Sequence, residues 1–268
     1  MGTKNGTLFL DPSGEVDMDY ITFGKGEKNL VMIPGLGDGL KTVKGMAGTF
    51  SVLYRRFAQQ YRVSVFSQRN LMEEGFAIRD MAADVYKAMQ MLEIETADVI
   101  GVSQGGMIAQ WLAVDYPQAV DKLVLTVTTP YAAKQTCEVV RAWIEMAEND
   151  EYSNLMIDTA EKMYSENHLK KIRHLYPVLG AVGKPHDFGR FLIMARACLT
   201  HDTRAVLDKI TSPTLVIGGA QDLVIGKEAA SQLAEKIPGS QLYIYEEFGH
   251  GAYEEARDYQ QRVLEFLK

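Results

Sequence analysis

Three glycines crowd one serine in the stretch Gly101-Val102-Ser103-Gln104-Gly105-Gly106. An apolar run, Val99 to Val102, feeds into it, and Met107-Ile108-Ala109-Gln110-Trp111-Leu112-Ala113 leaves it with apolar residues on a helical face. A strand that turns into a helix within one or two residues needs an abnormal backbone at the corner. The neighbours of the corner residue must also lack side chains. The pattern G-x-S-x-G therefore predicts a turn that lifts the Ser103 hydroxyl above a sheet and sets the Gln104 N–H beside it. The chemistry on offer is nucleophilic attack on an acyl carbon.

A serine hydroxyl is a weak nucleophile near neutrality. It needs a neutral imidazole within hydrogen-bond reach, and the imidazole needs an acid to fix its tautomer. Of five histidines, His168, His174, His186 and His201 fall in a helix-rich middle segment, whereas His250 follows the last strand-like run between Gly249 and Gly251. Asp222 follows the apolar run Thr214–Ile217 through Gly218-Gly219-Ala220-Gln221. It also reads as a turn or capping aspartate before a helix near Lys227. The alternative position after the Lys122–Val127 run offers Thr128-Thr129-Pro130 and no acid. Ser103, Asp222 and His250 are the candidate catalytic residues, in that chain order. Acyl transfer also requires donors for a developing oxyanion. Gln104 supplies one backbone N–H, and Leu36, in the loop Pro34-Gly35-Leu36-Gly37-Asp38-Gly39, is the candidate for the second. No Lys-Ser/Thr pair follows those glycines, so a phosphate cradle is disfavoured.

The elements that must position these residues alternate. Thr7–Leu10 and Met18–Phe23 read as strands around the turn Asp11-Pro12-Ser13-Gly14. Asn29–Ile33, Arg62–Phe66, Val99–Val102, Lys122–Val127, Thr214–Ile217 and Gln241–Tyr245 follow as strands. Helices are predicted over Phe50–Tyr61, with Leu53, Phe57 and Ala58 inward, over Ile78–Leu92 and Glu228–Ile237, and from about Tyr253 to the end. Continuous apolar strands alternating with helices imply an α/β fold with a mostly parallel sheet covered on both faces. In such a sheet the loops after successive strands project at one edge, which brings the candidates together. Between 130 and 204 the strand signals stop and helical periodicity takes over.

At 268 residues and 47% hydrophobic content the chain can bury a sizeable core. Lys and Arg number 28 against 35 Asp and Glu, a net charge of −7. The segment 130–204 holds ten of each sign, so the excess lies elsewhere. An acidic chain without a Lys/Arg cluster is not expected to bind nucleic acid. No apolar run reaches membrane-spanning length, and the Met1-Gly2-Thr3-Lys4-Asn5 start has no apolar leader, so a cytoplasmic protein without membrane contact is expected. Cys137 and Cys198 have no metal or redox spacing and read as a buried, reduced pair. No metal and no cofactor are expected.

With Gly101–Gly106, Pro213–Gly218 plus Asp222, and Gly249-His250-Gly251 in place, the chain resembles the α/β-hydrolase superfamily. It is most similar to small bacterial carboxylesterases, enol-lactone hydrolases and C–C bond hydrolases. The resemblance implies a core over 1–129 and 205–268, and a helical cap over 130–204 inserted after the sixth core strand. It implies a serine hydrolase acting on a small acyl compound as monomer or homodimer. The alternatives are C–C bond cleavage, other non-ester chemistry, or a receptor with little turnover. Tyr131, Trp143, Phe191, Met194 and Val224 are the candidates for an apolar substrate pocket. One departure is Pro34 where the family's oxyanion loop usually begins with histidine, which bears on loop geometry but leaves the donor at Leu36.

Overall fold

The computed structural model describes residues 2–179 and 183–268. Among them, eight strands form one sheet: β1 Lys4–Phe9, β2 Asp17–Phe23, β3 Lys28–Ile33, β4 Tyr61–Arg69, β5 Ala97–Val102, β6 Val120–Thr126, β7 Thr214–Gly219 and β8 Gln241–Tyr245. Their spatial order is β1-β2-β4-β3-β5-β6-β7-β8. The β1–β2 and β2–β4 pairs are antiparallel, and every later pair is parallel.

Alternation along the strands builds a core on each face. Val31 and Ile33 of β3, Phe66 of β4 and Leu123 and Leu125 of β6 face one apolar cluster. Leu30, Met32, Val63, Val65 and Val124 face the other. A sheet covered on both sides needs apolar residues at odd and even positions alike, hence the near-continuous runs. Helices α1 (Ala47–Leu53), α2 (Arg55–Gln60), α11 (Ala252–Glu255) and α12 (Tyr259–Leu267) lie with the second cluster. Helices α3 (Ile78–Met91), α4 (Gln104–Asp115) and α10 (Ala229–Lys236) lie with the first.

Two expected helices are broken. Tyr54 (φ −103°, ψ 35°) separates α1 from α2, Leu53 is exposed, and Tyr61 already belongs to β4. The C-terminal helix is likewise split, because Ala256 turns extended after α11. Apolar periodicity persists across a break of one residue at Tyr54 and of three at 256–258, and so hides both. Strand β4 also runs on through Ser67-Gln68-Arg69, and β1 lies earlier than the apolar residues suggested.

The chain between β6 and β7 is helical: α5 (Lys134–Glu148), α6 (Tyr152–Met163), α7 (Glu166–Ile172), α8 (Tyr176–Leu179) and α9 (Gly189–Leu199). It leaves and rejoins the sheet layer at one stem. There the Tyr131–Asp202 bridge is flanked by hydrogen bonds from Ala132 N–H to the His201 carbonyl and from Thr203 N–H to the Pro130 carbonyl. No helix among the described residues is long and apolar enough to cross a membrane. Both cysteines are free; Cys198 is buried, whereas Cys137 is only half-buried, contrary to expectation.

Candidate active site

Strand register fixes the starting geometry. Ile33 pairs with Gly101, Gly101 with Leu125, and Leu125 with Val216, so β3, β5, β6 and β7 end at one edge. The connections leaving β3 and β5 pack helices on opposite faces, which opens a crevice between them.

Ser103 stands at the end of β5 with φ 54° and ψ −119°, in the left-handed region that disfavours side chains. The turn is tight enough that a Cβ on Gly105 would lie 2.0 Å from the Ile33 carbonyl oxygen, so only glycine fits there. His250 follows β8. Its Nε2 lies 2.9 Å from Ser103 Oγ, and its Nδ1 lies 2.8 Å from Asp222 Oδ2. Asp222 divides its carboxylate. Oδ1 accepts the N–H groups of Val224 (2.8 Å) and Ile225 (2.9 Å), which leaves Oδ2 aimed at the imidazole. The capping expectation is thus met locally, though α10 begins only at Ala229. Asp222 and His250 are both buried.

Leu36 opens a 3-10 turn over Leu36–Gly39, and Gln104 opens α4. First-turn N–H groups have no acceptor within their own helix, which leaves the Leu36 and Gln104 amides without an intrahelical partner. Two contacts that the sequence did not reveal hold these donors. Asp38, in the Leu36 turn, accepts Ser67 Oγ–H (2.6 Å) and Gln68 N–H (2.9 Å), and it is ion-paired to Arg190 of α9. Arg190 also donates to the carbonyls of Asp38, Gln68 (2.8 Å) and Arg69 (2.9 Å). One and two turns further along α9, the Met194 carbonyl and Cys198 Sγ accept from Gln104 Nε2, at 2.6 and 3.0 Å. Burial pushes the Cys198 thiol up to about 12, so it is a neutral packing group.

Ser103 and His250 lie in the wall of a cavity of about 550 Å³. Of the five pocket candidates, Trp143 and Phe191 line it. Tyr131, Met194 and Val224 do not. Tyr131 sits in the stem beneath Arg204, at 4.1 Å from its guanidinium. Met194 is fully buried on the anchoring face of α9, and Val224 is turned to the Asp222 carboxylate by its N–H. The apolar wall comes instead from Leu155, Met156 and Ala160 of α6, with Ile172 and Leu175 beyond. The periodicity of α6 marked that face; the sequence did not say whether it met a cavity or other helices. Tyr164, His168 and Glu254 complete the wall, and Tyr164 O–H donates to Glu254 Oε2 at 2.6 Å. His168 therefore belongs to the cavity, which its position in the helical segment had not suggested.

This constellation has the parts that nucleophilic acyl transfer requires: an oriented hydroxyl, a paired imidazole, two helix-opening backbone amides and an apolar cavity. The sequence profile described as alpha/beta hydrolase fold matches residues 28–169 and 195–256. The chain is 26% identical over 271 residues to 2-hydroxy-6-oxononadienedioate/2-hydroxy-6-oxononatrienedioate hydrolase 2 of Pseudomonas putida, covering 95% of this chain and 93% of that one. It is 23% identical over 238 residues to 3-oxoadipate enol-lactonase 2 of Acinetobacter baylyi, with 87% and 86% covered. Among solved structures, an esterase from Exiguobacterium antarcticum superposes with a TM-score of 0.80 at 22% identity, over 100% and 99% of the two chains.

Proposed function

The chain belongs to the alpha/beta hydrolase fold family, and we propose that it is a serine hydrolase of small-molecule carboxylic esters, thioesters or lactones. The observation that carries this reading is the unbroken relay from Ser103 Oγ through His250 to Asp222, opening on the cavity. Ser103 attacks the carbonyl carbon as its proton passes to His250 Nε2. Asp222 holds the tautomer with Nδ1–H donated to it, and stabilises the imidazolium. The N–H groups of Leu36 and Gln104 receive the oxyanion, each such donor being worth about 2.7–4 kcal/mol in the transition state. His250 then returns the proton to the leaving group, and water deprotonated by the same imidazole releases the acyl group. The helices of 130–204 serve as a cap, supplying the apolar wall that selects the acyl moiety. The chemistry draws on no cofactor.

Active-site labelling with a neutral fluorophosphonate, followed by a hydrolysis screen of esters, thioesters, lactones and 6-oxo acids, tests the reading. Labelling at Ser103 and ester or lactone turnover are expected. Ser103→Ala should reduce turnover to background, and Asp222→Asn should cost on the order of 10⁴ in kcat by forcing the wrong tautomer. An Asp222→Asn protein that kept near-full activity would overturn the assignment of the acid.

A further inference from the structure

The cavity is short of positive charge. Among its described lining residues the ionisable side chains are Asp38, Tyr164, His168, His250, Tyr253 and Glu254, with no lysine or arginine. Arg190, which grips the Leu36 turn, is spent on Asp38 and on three backbone carbonyls. The Asp38 carboxylate is in turn satisfied by Arg190, Ser67 and Gln68. Glu254 differs, being exposed to solvent while lining the cavity, which places its carboxylate at the mouth. Its bonded partner there is the Tyr164 hydroxyl, a neutral donor that burial and the adjacent Glu254 charge both hold in the protonated form. Behind it, Glu255 accepts Ser165 N–H at 3.0 Å and Ser165 Oγ–H, and its Oε2 also lies 3.9 Å from Nδ1 of His168, so the imidazole in the wall already faces a carboxylate of this chain.

We propose that the site takes an uncharged acyl group and turns away anionic ones, with Glu254 as the specificity-determining residue at the mouth. The inference rests on the serine-hydrolase reading and narrows it. A substrate bearing a second carboxylate, such as a dioate half-ester, would lose hydration on reaching the wall of Trp143, Leu155, Met156 and Ile172, with no lysine or arginine among the described lining residues to receive it. Before that it would meet Glu254, whose field within a Debye length opposes approach and is weakened by salt. A methyl-terminated acyl chain meets neither obstacle and buries apolar surface against the same wall.

The test compares p-nitrophenyl hexanoate with the mono-p-nitrophenyl ester of adipic acid, at pH 8 and low ionic strength. The neutral ester should be favoured at least a hundredfold in kcat/KM. The ratio should shrink about tenfold in Glu254→Gln, shrink further in Glu254→Lys, and shrink in the wild type as salt rises to 0.5 M. An anionic ester turned over as well as the neutral one, or a ratio unmoved by both substitutions and by salt, would overturn the inference. Labelling rates of Ser103 with alkyl fluorophosphonates carrying a methyl or a carboxylate terminus give the same ratio without turnover. A serine that labels equally fast with both defeats only this inference, whereas a serine that labels with neither defeats the hydrolase reading beneath it.

Discussion

At Ser103 the backbone and the chemistry make opposite demands. The residue sits at φ 54°, where an L side chain costs about 1–3 kcal/mol, and the proposed reaction requires it to carry one. Its surroundings are tight as well, since a Cβ on Gly35 would lie 3.2 Å from Ser103 Cβ. Replacing Ser103 by alanine keeps the strain; replacing it by glycine removes the strain. Both variants should be inactive, but Ser103→Gly should be the more stable by about 1 kcal/mol, or about 2–4 °C in Tm. Thermal unfolding of the two purified variants checks this, and equal melting temperatures would show that the corner is not strained. Asp222 meets two demands at once with its two oxygens, one for the Val224 and Ile225 amides and one for His250. That is why it could be read from sequence both as a turn residue and as the acid.

At the level of elements, α9 braces the two turns that carry the proposed oxyanion donors. Arg190, Met194 and Cys198 recur every fourth residue and so share one helix face. That face holds the Leu36 turn through Asp38, and α4 through the Gln104 side chain. The approach is close, for a Cβ on Gly39 would lie 2.8 Å from Phe191 Cα. Arg190→Ala should therefore lower kcat by tens of fold with little change in KM, because the donors matter most in the transition state. Millimolar guanidinium should restore part of the loss. Steady-state kinetics with and without guanidinium test this; a purely structural arginine would show neither the kcat bias nor the rescue. The strands and the meeting of Ser103, His250 and Asp222 were legible because each follows from a local rule: apolar runs, glycine corners, loops at one sheet edge. Arg190 was not, since a cation in a segment of balanced charge reads as a solvated one, and its partner lies 152 residues away in sequence. Met194 was recognised as important and given the wrong task. Its side chain packs, and its carbonyl does the anchoring.

For the molecule as a whole, one buried histidine ties stability to pH. Burial pushes His201 down to about 4. In the unfolded chain its pKa is about 6.5, so between about pH 6.5 and 4 the unfolded state binds the extra proton and acidification destabilises the fold. The loss should approach about 1.4 kcal/mol per pH unit within that window and reach about 3 kcal/mol at its foot. Denaturant unfolding at pH 7 and pH 5 should show a shallower decline in His201→Gln than in the wild type; parallel declines would assign the acid sensitivity to other groups. The helical segment is also fastened to the sheet layer at more than its stem. On one side α9 grips the Leu36 turn, and on the other Gly251 N–H donates to the Met163 carbonyl at 2.7 Å, beside the Tyr164–Glu254 bond. On the proposed reading, a roof bolted to both sides of the site stays down through the reaction, and molecules come and go past Glu254, a passage that suits freely diffusing compounds of modest girth better than a polymer laid into an open trench.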